Sequence, residues 1–371
     1  MSVSATPPAP QRLESLDFLR FFAAAAVMFY HFYFIGPLQG FWPKTLYRPL
    51  AHWGDLGVDL FFVISGFVIT LTSAKRGPTA FIAARATRLF PAFAVCSAIT
   101  AGMALTLPGI SASEILPRWL ASLSYFPRVF GVEPLSSVYW TLAIEIQFYG
   151  LVTALLALGL WKRHNDLILW IWLLIAFVVQ YIRPTPLLAD ALITEFAGHF
   201  CAGIVLYRIH VGNPPRFATA ALLLAFSLMS KHIQHVDEWL GGSYLAFFPP
   251  LGVILAAPAL AGLVYLAARA PALPRRLAPV AAMLGAMSYP LYLIHADLGF
   301  WSHAIFERKW FGLYPALAGK LTYPLIALGA VLLALFIAWL VAARIEPGLQ
   351  ARMKALLAAR PRRSAAQPSH P

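Results

Sequence analysis

Arg20 and His31 stand eleven residues apart in LDFLRFFAAAAVMFYHFYFIG, an apolar stretch whose only other charge is Asp17 near its start. A guanidinium and an imidazole are both costly in hydrocarbon, so their presence in such a stretch points to function. Eleven helical steps make three turns plus roughly 20°, which puts both side chains on one face about 16 Å apart along the axis. That face has an anion-binding end and a base end. Snorkelling of Arg20 to headgroups and an interfacial hydrogen bond at His31 account for the same pair without chemistry.

Four further clusters interrupt apolar runs. GVDLFFVISGF carries Asp59, a carboxylate in need of a partner such as Arg48, and Ser65 with Gly66, small residues that suit close helix packing. FIAARATRLFPAF carries Arg85 and Arg88, three apart and so on nearly one helical face, as forks suited to phosphate. VYWTLAIEIQFYG puts Glu145 about seven residues, or roughly 10 Å, below the surface where its helix enters, near the level expected for His31. A buried carboxylate there would orient the imidazole and favour its charged form, as a general base requires. Trp140 and Tyr149 flank it as supporting positions. MSYPLYLIHADLGF offers Tyr289, Tyr292, His295 and Asp297 around Pro290, with His295 a secondary candidate. Each cluster also fits an ordinary structural role: helix packing, loop charge or an interfacial aromatic belt.

What must position these residues is a membrane bundle. Of 371 residues 60% are hydrophobic and 12% charged, in apolar runs longer than a soluble core needs. Ten spans are expected, at 18–34, 56–73, 90–107, 138–160, 167–181, 191–207, 217–229, 244–268, 279–306 and 321–343. With the N-terminus inside, eighteen Lys and Arg fall in cytoplasmic segments against nine outside, Arg20 set aside, so both termini are expected in the cytoplasm. This divides the chain into a cytoplasmic segment 1–15, a transmembrane domain 16–343 and a basic tail 344–371, read as a short amphipathic piece followed by disorder.

The net charge of +13 follows from that loop bias and from attraction to anionic lipid, and no basic stripe with interleaved aromatics indicates nucleic acid. Cys96 and Cys201 lie in spans as small buried residues with no disulfide or metal framework, and no metal site is expected. His232 and His235, placed in an outer loop, are weak evidence for a metal. The N-terminus lacks the pattern of a cleaved signal peptide, so the first span is expected to stay as an anchor. GxxxxGK[ST], HExxH, paired CxxC and GxSxG are all missing, which disfavours nucleotide hydrolysis, zinc chemistry and a serine hydrolase. Trp42, Trp53, Trp119, Tyr125 and Trp239 in the outer loops suit sugar rings, as they suit an interfacial belt. Intramembrane His, Glu and Arg also build the proton relays of secondary transporters or flippases, although neither an internal repeat nor paired broken segments are visible.

In order, LDFLRFFAAAAVMFYHF, GVDLFFVISGF, RATRLFPAF, WTLAIEIQFY and MSYPLYLIH resemble the integral-membrane acyltransferase type 3 family over about 16–343. The resemblance implies a membrane O-acyltransferase that passes an acyl group, usually acetyl, from cytoplasmic acyl-CoA to hydroxyls of carbohydrates outside, in a bacterial inner membrane. By motif, the family's essential Arg and His fall on Arg20 and His31, its cytoplasmic Arg pair on Arg85 and Arg88, and its Glu on Glu145. The frequent Trp-Ser-Leu-x-x-Glu-Glu form is altered here to Thr141 and Ile146, with the first Glu retained. The hydrolase-like extra domain of some members is not expected, which implies a standalone enzyme or one with an unknown protein partner. Acyl-CoA enters as donor substrate, and no permanently bound cofactor is implied. His31 is then a general base or a covalent acyl relay, with Glu145 or Asp59 holding its tautomer.

Overall fold

The computed structural model describes residues 13–310, 313–314 and 321–358. The expected N-terminal segment up to residue 12 and the tail from 359 lie outside these. Among the described residues the chain is helical and has no strand. Its main helices are α1 (Glu14–Leu38), α2 (Pro49–Ser73), α3 (Pro78–Leu105), α4 (Ala112–Ser122), α5 (Ser137–Ala157) and α6 (Asn165–Ile182). They continue with α7 (Ala197–His210), α8 (Ala218–Tyr244), α9 (Pro250–Arg269), α10 (Ala278–Ile305) and α11 (Thr322–Ala358).

Seven of these are long and apolar enough to cross a membrane: α1, α2, α3, α5, α6, α9 and α11. The other three expected spans are helices too, but differ in character. α7 has only 14 residues. α8 runs through the expected outer loop to Tyr244, so His232 and His235 are helical rather than in a loop. α10 carries Ser288, His295 and Asp297 and passes unbroken through Pro290.

Sequence explains the ends and the packing. Proline opens α2, α3 and α9, where its missing N–H has no helical partner to lose. Pro91, Pro258 and Pro290 lie inside continuous helices, as membrane helices tolerate. α1 packs chiefly on α10, α10 on α11, and α7 on α2. The α2–α7 contact is backbone to backbone: a Cβ on Gly66 would overlap the Phe200 carbonyl, and one on Gly203 the Val63 carbonyl. Leucines of α9 and α11 such as Leu251, Leu266, Leu325 and Leu332 remain exposed, as a lipid-facing surface requires.

The loops sort into two ends. Leu13, Lys75, Arg76 and Tyr207 share one cavity wall, and Leu273 N–H donates to Glu14 at 3.1 Å, so α1 begins at the end where the basic loops gather. At the opposite end Trp42 lies 5.0 Å from the His303 ring and Trp301 donates to Thr106 at 2.7 Å. The segments at Leu13, Lys75 and Leu273 thus lie at one end, and those at Trp42, Thr106 and His303 at the other.

Candidate active site

At His31, α1 changes from α-helical to π-helical, from His31 to Ile35. Such widened turns recur where a side chain or backbone group is put to use. His31 Nδ1 lies 2.9 Å from the Val27 carbonyl and 3.2 Å from His295 Nε2. A carbonyl only accepts, so Nδ1 carries the proton and Nε2 the lone pair. His295 is fixed in the same way: its Nδ1 donates to the carbonyls of Tyr292 at 2.8 Å and Leu291 at 3.2 Å, leaving Nε2 to accept from His31. The rings meet edge to face at 4.8 Å. His31 Nε2 makes no hydrogen bond to any described residue.

Glu145 is elsewhere. Its Oε1 accepts from Ser65 at 3.2 Å and from the Tyr149 hydroxyl. It lines a narrow cavity of about 60 Å³ together with Arg20, Arg88, Thr141, Tyr289 and Tyr292. The expectation that Glu145 holds the His31 imidazole is thus corrected, as is the alternative of Asp59. Asp59 accepts from His199 Nε2 at 2.6 Å on the face of α2 turned towards α7, not from His31 and not from Arg48, which bonds backbone carbonyls. His295 is the side chain that meets His31. Ser65, expected to pack and as a possible supporting residue of the site, donates a hydrogen bond to Glu145, and Gly66 mediates the close approach.

Arg20 also lines a second, open cavity of about 520 Å³ that runs to Lys75 and Arg76 at the basic end. Two guanidinium N–H positions of its lining residues are buried without a partner, Arg20 Nε and Arg76 Nη1, and Arg85 Nε on α3 is a third, outside this cavity. Arg85 sits over the Phe81 ring at 5.9 Å, and Arg88 Nη1 is 3.8 Å from Glu346. At the other end of the narrow cavity Thr141 donates to the Tyr292 hydroxyl at 2.9 Å, so the replacement at this motif position keeps a working hydroxyl. Tyr292 in turn lies 5.6 Å from the His295 ring. The order along the bundle is open basic cavity, Arg20, narrow cavity, Tyr292, His295 and His31.

A family model described as an acyltransferase domain matches residues 13–343. The chain belongs to the acyltransferase type 3 family. Nodulation protein 10 of Rhizobium leguminosarum bv. viciae is 28% identical over 335 residues, 81% of this chain and 85% of that protein. Exopolysaccharide production protein ExoZ of Rhizobium meliloti is 29% identical over 264 residues, 65% of this chain and 75% of that protein. O-acetyltransferase OatA of Staphylococcus aureus is 28% identical over 246 residues, 58% of this chain and 35% of that protein. No solved structure matches. As a member of the acyltransferase family with seven spanning-type helices, the chain is a multi-pass membrane enzyme, and the transporter reading gives way.

Several expected site residues do other work. Trp140 is exposed at 46% and packs on Phe196, outside the narrow cavity. Trp42 is buried against Phe32, Trp119 donates to Ser97 at 3.2 Å and Tyr125 stacks on Phe93, so these three are structural, while Trp53 and Trp239 stay exposed. Sequence reasoning missed His199, fully buried beside Asp59, and Glu195, which accepts from His232 Nδ1 at 3.0 Å. An imidazole inside the apolar FAGHFCAGIVL was the same signal that singled out His31. Among the described residues no group of three or more His, Cys, Asp or Glu is arranged to hold a metal ion.

Proposed function

We propose that the protein transfers an acyl group, acetyl by likeness to the O-acetyltransferase relative, from acyl-CoA to a hydroxyl of an extracytoplasmic carbohydrate. The observation that carries this is the single file of groups along the bundle: unpartnered guanidinium N–H at one end and a bare imidazole Nε2 towards the other. Arg20 and Arg85, with Arg76 and Arg88, supply forks for the coenzyme's phosphates, and bidentate contact would satisfy the orphaned donors. The uncharged thin arm then passes the narrow cavity towards His31. Glu145, fixed by Ser65 and Tyr149, is the counter-charge of that passage rather than the partner of the base.

At the thioester, His31 Nε2 takes the hydroxyl proton as the acceptor oxygen bonds to the carbonyl carbon. The C–S bond breaks, and the departing thiolate takes that proton from the imidazolium. His295 Nε2 accepts the Nδ1 proton of His31 throughout, which holds the tautomer and stabilises the transient cation. In this reading the basic end faces the cytoplasm with both termini, α7, α8 and α10 complete ten crossings, and the membrane is a bacterial inner membrane whose anionic lipids meet the basic loops.

The test is acyl transfer by purified protein in proteoliposomes. His31→Ala is expected to lower product formation by roughly 100- to 10,000-fold while acyl-CoA binding and the unfolding midpoint stay as in the wild type. Undiminished product would remove His31 from the chemistry.

A further inference from the structure

The donor end contains a carboxylate that the transfer reaction does not use. Glu346 lies three residues beyond the family match, at the point where a π-helical stretch of α11, Val341–Ile345, returns to α-helix. Its Oε1 is 3.8 Å from Arg88 Nη1 and accepts from Gln350 Nε2 at 2.6 Å. The Glu346 side chain is 6% exposed and that of Arg88 35%. At 3.8 Å the pair attracts by charge without the hydrogen bonds of a fork-to-fork contact, which close to about 2.7–2.9 Å. Arg88 is therefore neutralised, yet its N–H groups stay available on the side that lines the narrow cavity.

We propose that Glu346 is a specificity-determining counter-ion: it keeps the single phosphates of anionic lipid headgroups off Arg88 and yields to the several phosphates of an acyl-CoA donor. The proposal rests on the assignment of the basic end to the donor. Arg88 is partly exposed at the end where the basic loops draw in anionic lipid. A lone phosphate offers Arg88 little more than Glu346 already provides, and displacing it leaves a buried carboxylate unpaired, which is unfavourable. A polyphosphate donor spans Arg88 and the unpartnered N–H groups of Arg20 and Arg85, which Glu346 does not pair with among the described residues. Only the larger anion gains more than it disrupts.

The experiment is an acetyl-CoA titration of purified wild type, Glu346→Gln, Arg88→Ala and the double variant, in nanodiscs of phosphatidylcholine alone and with phosphatidylglycerol added. Glu346→Gln keeps the shape and the Gln350 contact and removes the charge. It is expected to bind acetyl-CoA roughly fivefold tighter than wild type in the neutral discs, and to lose that gain when phosphatidylglycerol is present. Wild-type affinity is expected to change by less than about twofold between the discs, and the double variant to show no gain over Arg88→Ala. If Glu346→Gln binds no tighter while Arg88→Ala still weakens binding, the counter-ion role is wrong and the donor site stands. If Arg88→Ala binds as wild type does, the donor assignment at Arg88 fails and the proposal with it. Should Glu346→Gln prove too unstable to purify, Glu346→Asp, which draws the charge back by one methylene, is expected to shift affinity in the same direction by less.

Discussion

An imidazole can divide labour between its two nitrogens only if something fixes which one holds the proton. At His31 that is done by one backbone carbonyl and one neighbouring ring, both on Nδ1. Replacing His295 by Ala leaves Val27 as the only acceptor, so kcat is expected to fall roughly 10- to 100-fold with KM for acyl-CoA unchanged, measured by steady-state transfer in proteoliposomes. His295→Gln, whose amide oxygen can accept, should recover part of the loss. A full rate in His295→Ala would show that the second ring plays no part. The residue types and the axial spacing of Arg20 and His31 along one helix were legible in the chain, because residues count off at a fixed rise per step. Glu145 shows where this stops. It was expected near the level of His31 but lies at the narrow cavity beside Arg20 and Arg88, because the level and direction at which α5 presents it depend on packing against α2 and on Ser65 and Tyr149, which no local pattern encodes.

Helices meet here through small residues and buried polar pairs. Gly66→Ala sets a methyl against the Phe200 carbonyl across the α2–α7 seam, where neither backbone can retreat cheaply. The unfolding free energy in detergent is expected to drop by about 1–3 kcal/mol. The Asp59–His199 pair joins the same two helices at 2.6 Å. His199→Leu leaves Asp59 buried and unpaired, apart from His232 at 3.9 Å, and should destabilise by about 3–5 kcal/mol. Asp59→Leu added to it is expected to return much of that stability in a denaturation series, since both desolvated groups are then gone. If the double variant is as unstable as the sum of the singles, the pair acts independently and the argument for a shared polar clasp fails. The Ser65-Gly66 motif already announced the close approach; the clasp was hidden because its two members lie 140 positions apart.

At the scale of the molecule, the described loops gather at a basic end and an aromatic end, with the polar groups of the candidate site strung between them. A membrane-impermeant maleimide is expected to label Lys75→Cys only from the cytoplasmic side of membrane vesicles, and Trp239→Cys only from the outer side. Labelling of both from one side would invert the topology. The apolar runs located α9, α10 and α11 alike, the last two at 279–306 and 321–343, yet α10 is not among the seven helices whose composition suits a lipid-facing crossing. A helix packed between α1 and α11 is shielded from lipid, so it can carry His295 and Ser288.

The π-helical stretch at His31–Ile35 has a last consequence. A π turn holds one residue more than the α turn it replaces, so α1 is one residue longer than its path through the bundle needs. Deleting a residue there would restore a plain α-helix and still reach the loop at Gln39. Winding the same residues as plain α-helix without a deletion would rotate everything beyond by about 100°, and the aromatic end would no longer meet α10 in register. The extra residue is thus a phase adjustment between two halves of one helix, one indexed to Arg20 and the other to the loop that begins at Gln39.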